Sequence, residues 1–90
     1  MNVVLDAGFV KKAKKVDVRI QKHLKQRLLL FSKNSHEQLL KNHELRNEYR
    51  GYRSINITND YRALYKEVQI GEETVAYFTT FGTHKELYRK

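Results

Sequence analysis

The N-terminal half of the chain has apolar residues at intervals of three or four positions, the spacing of an amphipathic helix. A short apolar segment over residues 2–5 predicts a strand before the first helix. Asp6 is placed to cap that helix, which begins at Ala7. Asp17 is placed to cap a second helix, whose apolar positions extend to Phe31. The sequence therefore predicts a strand followed by a hairpin of two helices.

A polar break over residues 32–35 ends the second helix. Ser35, at the end of this break, and Gln38 have the spacing of a capping box, in which each side chain accepts a hydrogen bond from the backbone N–H of the other residue. This spacing predicts one short helical turn through Leu40, and the helical half then ends near Asn42.

Beyond Gly51 the pattern changes to alternation, with Ile55 and Ile57 separated by polar residues, as in a half-buried strand. Two further runs, at residues 61–68 and 74–81, are rich in aromatic and aliphatic residues and predict two more strands. Three consecutive strands joined by short turns favour an antiparallel meander.

These elements predict an α+β fold in a single domain, residues 1–90, because a chain of this length has room for one small core. The N-terminal strand and the basic helical hairpin are expected to pack on a mainly antiparallel four-stranded sheet. The helices would cover one face of that sheet and leave the other for a ligand.

The charge of the chain indicates a polyanionic partner. The formal net charge is +8, and residues 1–50 hold twelve of the 18 Lys and Arg against five of the ten acids. Excess positive charge favours phosphate backbones, although charge alone does not separate RNA, DNA, the ribosome and an acidic protein. The chain has no cysteine, which favours the cytoplasm, and its longest apolar run is far too short to cross a membrane.

Metal and cofactor sites are not indicated. The four histidines lie 13, 7 and 41 positions apart along the chain, which is not the spacing of a zinc motif. The chain also lacks a glycine-rich phosphate loop and a nucleophile elbow. We therefore expect no metal and no cofactor.

The β-rich half instead collects side chains suited to cutting RNA without a metal. That reaction needs a base for the 2′-hydroxyl proton, cations for the charged phosphorane and an acid for the leaving oxygen. Histidine exchanges protons near neutral pH, arginine keeps its charge, and tyrosine offers a stacking surface for bases. The set is His43, Arg46, Arg50, Arg53, Asp60, Tyr61, Arg62, Lys66, His84 and Tyr88.

Four sequence blocks resemble the YafQ branch of the RelE/ParE superfamily of type II toxins, in order and in spacing. They are His43-Glu44-Leu45, Gly51-Tyr52-Arg53, Asp60-Tyr61-Arg62-Ala63-Leu64-Tyr65 and Gly82-Thr83-His84-Lys85-Glu86-Leu87-Tyr88. The blocks span about half the chain, and the preceding strand and basic hairpin also suit the family. The resemblance implies an mRNA interferase, an endoribonuclease that cleaves messenger RNA on the ribosome.

The resemblance also implies a role for each matching position. His84 would be the principal acid/base residue and His43 a second one, while Arg62 would bind the phosphate. Asp60 would lie on the central turn of the catalytic site, and Tyr88 would act on, or stack beside, the reacting groups. Without the surrounding sequence blocks, His84 would be interpreted as a surface residue in a turn, and Asp60 as a residue that forms a turn.

RNA contacts are expected over a wider surface. Beside the catalytic set they comprise Lys11, Lys12, Lys14, Lys15, Arg19, Lys22, Arg46, Arg50, Arg53, Asn56, Tyr61 and Lys66. The helical lysines have almost no acidic neighbours, which favours contact with ribosomal RNA phosphates, although a solvated helix face is the alternative. For Tyr61 both a packing role and a base-stacking role remain open.

One position departs from the family pattern, because Asn56 stands where the YafQ branch usually has a histidine. An amide cannot transfer protons, but it can orient a phosphate or ribose, which predicts an altered rate or codon preference. Two rival functions remain: a ParE-like toxin that inhibits DNA gyrase by binding, and a catalytically degenerate regulatory protein. The implied partners are a cognate antitoxin, the ribosome with its mRNA, and operator DNA only through the antitoxin complex.

Overall fold

One five-stranded sheet organises the protein in a computed structural model that describes residues 1–88. The strands are β1 (Asn2–Leu5), β2 (His43–Glu44), β3 (Arg53–Asn56), β4 (Tyr61–Ile70) and β5 (Glu73–Thr83), in the spatial order β1-β5-β4-β3-β2. β1 runs parallel to β5, and the other neighbouring strands are antiparallel. The predicted α+β class and the meander are confirmed, and the sheet has one strand more than predicted, because β2 pairs with β3.

Three helices accompany the sheet: α1 (Ala7–Ala13), α2 (Val18–Lys33) and α3 (His84–Tyr88). Both predicted caps are confirmed, because the Asp6 carboxylate accepts from the Gly8 N–H and the Asp17 carboxylate from the Arg19 N–H. Among residues 1–88 we find no helix with the length and apolar content that a bilayer crossing requires.

The predicted capping box at Ser35 and Gln38 is wrong. The short turn is a 3-10 helix over Gln38–Leu40, and Glu37 caps it by accepting a hydrogen bond from the Leu39 N–H. A capping side chain comes from the residue just before the first helical one, and here that residue is Glu37. Ser35 contributes through its carbonyl oxygen, which accepts from the Asn42 carboxamide at 2.8 Å.

The main core lies between the two long helices and one face of the sheet. Phe31 of α2 is fully buried, with its ring centroid 5.0 Å from that of Tyr65 on β4 and 5.3 Å from that of Phe78 on β5. Phe9 of α1 lies 5.8 Å from Phe78 and 5.5 Å from Phe81, again between ring centroids. Aromatic rings at these separations stabilise a core beyond the apolar area they bury.

The rim of this core contains a polar group that ties the helical half to the sheet. The Asn42 carboxamide donates to the Tyr65 hydroxyl at 2.7 Å and accepts from Arg53 Nε at 2.8 Å. Burial raises the pKa of the Tyr65 hydroxyl. Since Asn42 directly precedes β2, these bonds fix where β2 begins.

The second face of the sheet is partly covered, whereas the sequence predicted it to be open. Leu64, Leu87 and Ser54 are buried there, although they lie outside the main core cluster. On this side α3 contacts β5, and a 3-10 turn over Asn47–Tyr49, which the sequence did not predict, contacts α3 through the Tyr49 hydroxyl. Among the described residues no partner is found for the Ser54 hydroxyl.

We expect Phe31→Ala to destabilise the protein by about 3–5 kcal/mol, because it leaves a cavity between two aromatic rings of the sheet. A domain of this size has a total stability of about 5–15 kcal/mol, so the variant will be close to unfolding. Urea denaturation measures the change. Leu29→Ala is the control, because Leu29 on the same helix is 59% exposed, and an equal loss in both variants would contradict this view of the core.

We expect the cap at Asp6 to make stability depend on acid. The Tyr77 hydroxyl, donating at 2.7 Å, and the Gly8 N–H lower the pKa of Asp6 below its ordinary value of 3.8. The ionised carboxylate therefore adds stability above that value, and this is lost as the pH falls through the lowered pKa. On acidification from about pH 5 to about pH 3, the melting temperature of Asp6→Asn should fall less than that of the wild type. Equal falls would contradict the assignment.

Candidate active site

A cavity of about 480 Å³ opens where β2, β3, β4 and α3 meet. Its lining residues are Lys41, His43, Leu45, Asn56, Arg62, His84 and Tyr88. It therefore brings together four of the five residues predicted to be catalytic, together with Asn56. Sheet register explains part of this arrangement, because Asn56 on β3 pairs with Arg62 on β4, and paired residues point to the same face.

His43 is held in one orientation by the backbone. Its Nδ1 lies 2.9 Å from the carbonyl oxygen of Lys41, a residue in the left-handed conformation with φ of 48°. A carbonyl only accepts hydrogen bonds, so Nδ1 carries a proton. In the neutral ring Nε2 then has a free lone pair, which gives His43 the form that a general base needs.

Arg62 is anchored through one end of its guanidinium. Its Nη1 donates to the carbonyl oxygens of Thr58, Asn59 and Tyr61 at 3.0, 3.0 and 3.1 Å. A guanidinium has five N–H donors, two of them on Nη1, so the donors of Nη2 and Nε can serve a phosphate. The β3–β4 turn thus holds a permanent positive charge at the wall of the cavity.

His84 is placed by a backbone contact at the first position of α3. Its N–H donates to the Asp60 carbonyl at 2.7 Å, and its ring centroid lies 4.7 Å from that of Tyr88, one turn along the helix. Asp60 does not line the cavity, and its side chain is exposed. The structure therefore gives Asp60 a positioning contact through its main chain.

Tyr88 is held in place by contacts of Tyr49, which lies in the Asn47–Tyr49 turn. The Tyr49 hydroxyl donates to the Leu87 carbonyl at 2.9 Å, and the Tyr49 and Tyr88 rings meet edge to face with centroids 5.8 Å apart. The Tyr88 hydroxyl is buried, and among residues 1–88 it has no hydrogen-bond partner. The ring of Tyr88 is thus held against His84 by packing.

Three residues of the predicted RNA-binding set lie outside the cavity and have contacts elsewhere. Arg53 bonds to Asn42 through Nε, and its Nη1 is 3.6 Å from a Glu44 carboxylate oxygen. The Lys66 ammonium lies over the Tyr52 ring, 5.6 Å from its centroid. The ring of Tyr61 stacks on that of Phe81, with centroids 5.4 Å apart, and adjoins the core, which favours the packing role.

The remaining residues of that set lie on the surface. Lys11, Lys14, Lys15, Arg19, Lys22, Arg46 and Arg50 are exposed, and Lys12 is half-buried beside Glu86. The exposed residues stay predicted RNA contacts. Lys12 differs from them because its charge already has a partner within the protein.

Sequence reasoning missed residues that act on the site through the backbone or through packing. Lys41 belongs to this class, since it holds His43 through its carbonyl oxygen and no sequence pattern distinguishes it from an ordinary loop residue. Glu86 is different, because Thr83 and Glu86 have the Thr-x-x-Glu spacing of a capping box. The sequence therefore contains a signal for the start of α3.

The chemistry of the cavity follows from its charges. Of its described lining residues none is acidic, while Lys41 and Arg62 are cations, so the cavity suits an anion. Two imidazoles at its wall can each take up or release a proton. Among residues 1–88 no three His, Asp or Glu side chains converge as metal ligands.

The fold is similar to those of solved toxin structures, although no protein-family model and no curated protein matches the chain. The YoeB/ParE toxin from Agrobacterium tumefaciens aligns with a TM-score of 0.73 and 20% identity, over 93% of this chain and 99% of that one. YafQ from E. coli strain BL21(DE3) aligns with a TM-score of 0.66 and 25% identity, over 97% of each chain. A chain of the E. coli DinJ–YafQ toxin–antitoxin complex aligns with a TM-score of 0.63 and 25% identity, over 97% of this chain and 96% of that one. The chain therefore has the fold of the YoeB/ParE and YafQ toxins, and it is similar in sequence to YafQ from E. coli over almost its whole length.

Proposed function

We propose that the protein is a toxin that cleaves messenger RNA on the ribosome by acid/base catalysis. The proposal rests mainly on one observation: His43, His84 and the anchored Arg62 line the same cavity. A protein that acted only by binding would not need two imidazoles beside a held guanidinium. The sequence blocks that resemble the YafQ branch support the same reaction.

In the proposed reaction the 2′-oxygen of a nucleotide attacks the adjacent phosphorus, and the bond from phosphorus to the 5′-oxygen breaks. His43 Nε2 takes the proton of the 2′-hydroxyl, because Nδ1 is engaged with the Lys41 carbonyl. His84 supplies a proton to the departing 5′-oxygen. The products are a 2′,3′-cyclic phosphate and a free 5′-hydroxyl, so atoms and charge balance without a further reactant.

Arg62 and Asn56 have supporting roles in this proposal. Arg62 stabilises the negative charge that grows on the phosphorane, and its anchoring to three carbonyls reduces the reorganisation required during the reaction. Asn56 lies opposite Arg62 in the sheet register and hydrogen-bonds the ribose or phosphate. Tyr88 offers a ring on which a base can stack.

The message has room to continue beyond the reacting phosphate. A second cavity of about 440 Å³ shares Lys41 and Asn56 with the first and reaches His23 and Arg27 of α2. A neighbouring nucleotide in this cavity would lie against further cationic side chains. The exposed lysines of α1 and α2 would then contact ribosomal RNA phosphates.

A cognate antitoxin is the second proposed partner. The E. coli relative that this chain resembles is found in a DinJ–YafQ toxin–antitoxin complex. The net charge of +8 favours an acidic partner. Such a partner would cover the basic surface that is proposed to contact the ribosome.

We expect His84→Ala to lower the rate of mRNA cleavage by about 10²–10⁴-fold, the usual contribution of one positioned acid or base. Purified protein is added to translating ribosomes, and the new message ends are mapped and tested for a 2′,3′-cyclic phosphate. His36→Ala is the matched control, since His36 is exposed and does not line the cavity. Intact message with the wild-type protein would refute the proposal, and inhibited gyrase supercoiling in a parallel assay would favour the gyrase rival.

We expect Arg62→Lys to reduce cleavage by roughly 10²–10³-fold, because a lysine keeps the charge but cannot donate in the same plane to the turn and to a phosphate. Arg62→Ala should be at least as damaging. Single-turnover cleavage measures the effect, and circular dichroism confirms that both variants are folded. A folded Arg62→Lys variant with the wild-type rate would show that any positive charge is sufficient.

A further inference from the structure

We propose that Glu86 is a positioning residue, which with Thr83 and Lys12 sets the orientation of α3 and therefore of His84 and Tyr88. We call these three residues the α3 brace. The inference rests on the proposed function, because its importance lies in the alignment of the two site residues that α3 contributes. Glu86 itself lies outside the cavity lining.

The first part of the α3 brace is a reciprocal capping box. Glu86 Oε1 accepts from the Thr83 N–H at 2.9 Å and from the Thr83 hydroxyl at 3.1 Å. The Glu86 N–H in turn donates to the Thr83 hydroxyl at 3.1 Å. A helix of five residues has few internal hydrogen bonds, so these contacts decide whether the turn that contains His84 forms.

The second part ties this turn to another element. The Lys12 ammonium of α1 donates to Glu86 Oε2 at 3.1 Å, so one carboxylate satisfies the cap with one oxygen and pairs with α1 through the other. These contacts lower the pKa of Glu86, the backbone N–H of Thr83 having the largest effect. The carboxylate therefore stays ionised at neutral pH.

The position of Gly82 agrees with this close approach. A Cβ atom at Gly82 would lie 3.1 Å from Glu86 Oε1 and 3.4 Å from Lys12 Nζ. Glycine thus leaves the space in which the carboxylate and the ammonium meet. It does so directly before Thr83, at the end of β5.

The α3 brace affects alignment more than folding. The Lys12 and Glu86 side chains are 43% and 51% exposed, and an ion pair so exposed contributes little to global stability. A small displacement of a catalytic group, in contrast, strongly lowers the rate. Since Lys12 is engaged with Glu86, it acts on the reaction through α3 and not by contact with RNA.

The test compares variants that remove different parts of the brace. Glu86→Ala removes the cap and the ion pair, and we expect kcat to fall by about 10²-fold. Glu86→Gln keeps a side chain that can close the capping box, and Lys12→Met removes the ion pair alone. Each of these variants should lower kcat by roughly 10-fold and change KM by less than about twofold. The double variant Lys12→Met/Glu86→Gln should be no slower than Glu86→Gln, because both changes break the same contact.

Matched controls separate alignment from loss of charge. Lys33→Met and Glu72→Ala make the same changes in net charge at exposed positions outside the brace, and both should cleave like the wild type. A loss in Lys12→Met that appears in KM and persists in the Glu86→Gln background would overturn the inference in favour of direct RNA binding.

A second measurement does not depend on catalysis. We expect the ring current of Tyr88, whose centroid lies 4.7 Å from that of His84, to shift the NMR signals of the His84 imidazole. In folded Glu86→Ala these signals should move towards those of a free histidine, and in Glu72→Ala they should not. Unchanged signals in Glu86→Ala would overturn the inference, whereas a wild-type protein that cleaves no message would refute only the proposed function.

Discussion

The antiparallel pairing of β4 with β5 is the interaction on which the rest of the molecule depends. It runs from Tyr61 opposite Thr83 to Ile70 opposite Glu73, with one irregularity between Leu64 and Tyr65. One face of this pair supplies most of the sheet side of the core, and its other face carries Arg62. At the same end of the pair, the chain passes directly from β5 into α3. Core and cavity are therefore two faces of one hairpin, and a shift of its register would disrupt both.

Much of the fold could be predicted from the sequence because its signals are local. The caps at Asp6 and Asp17, the helical spacing and the alternation in the β half each depend on a few adjacent residues. The strand β2 could not be predicted in this way, since two residues give no period and their pairing depends on Asn42 contacts made across the fold. The covered second face was missed for the same reason, because Ser54 and Leu87, which are both buried, lie far apart in the sequence.

The candidate site shows a similar division. The resemblance to the YafQ branch singled out His43, Arg62, His84 and Tyr88, and the structure places all four around one cavity. Spacing could not show that Asp60 contributes a backbone carbonyl or that the Arg53 side chain is engaged with Asn42, since both contacts depend on the three-dimensional path of the chain. Composition also suggested that all the lysines of the basic helices are free to bind a partner, whereas Lys12 pairs with Glu86 of α3.

The parallel pairing of β1 with β5 has a consequence for how the protein is made. Asn2 lies opposite Val75, so β1 pairs with a strand that is synthesised much later than itself. Contacts so distant in sequence slow folding, because a long loop must close before they form. The residues of α3 follow β5 directly. During synthesis, the cavity therefore cannot assemble until both β5 and α3 have left the ribosome.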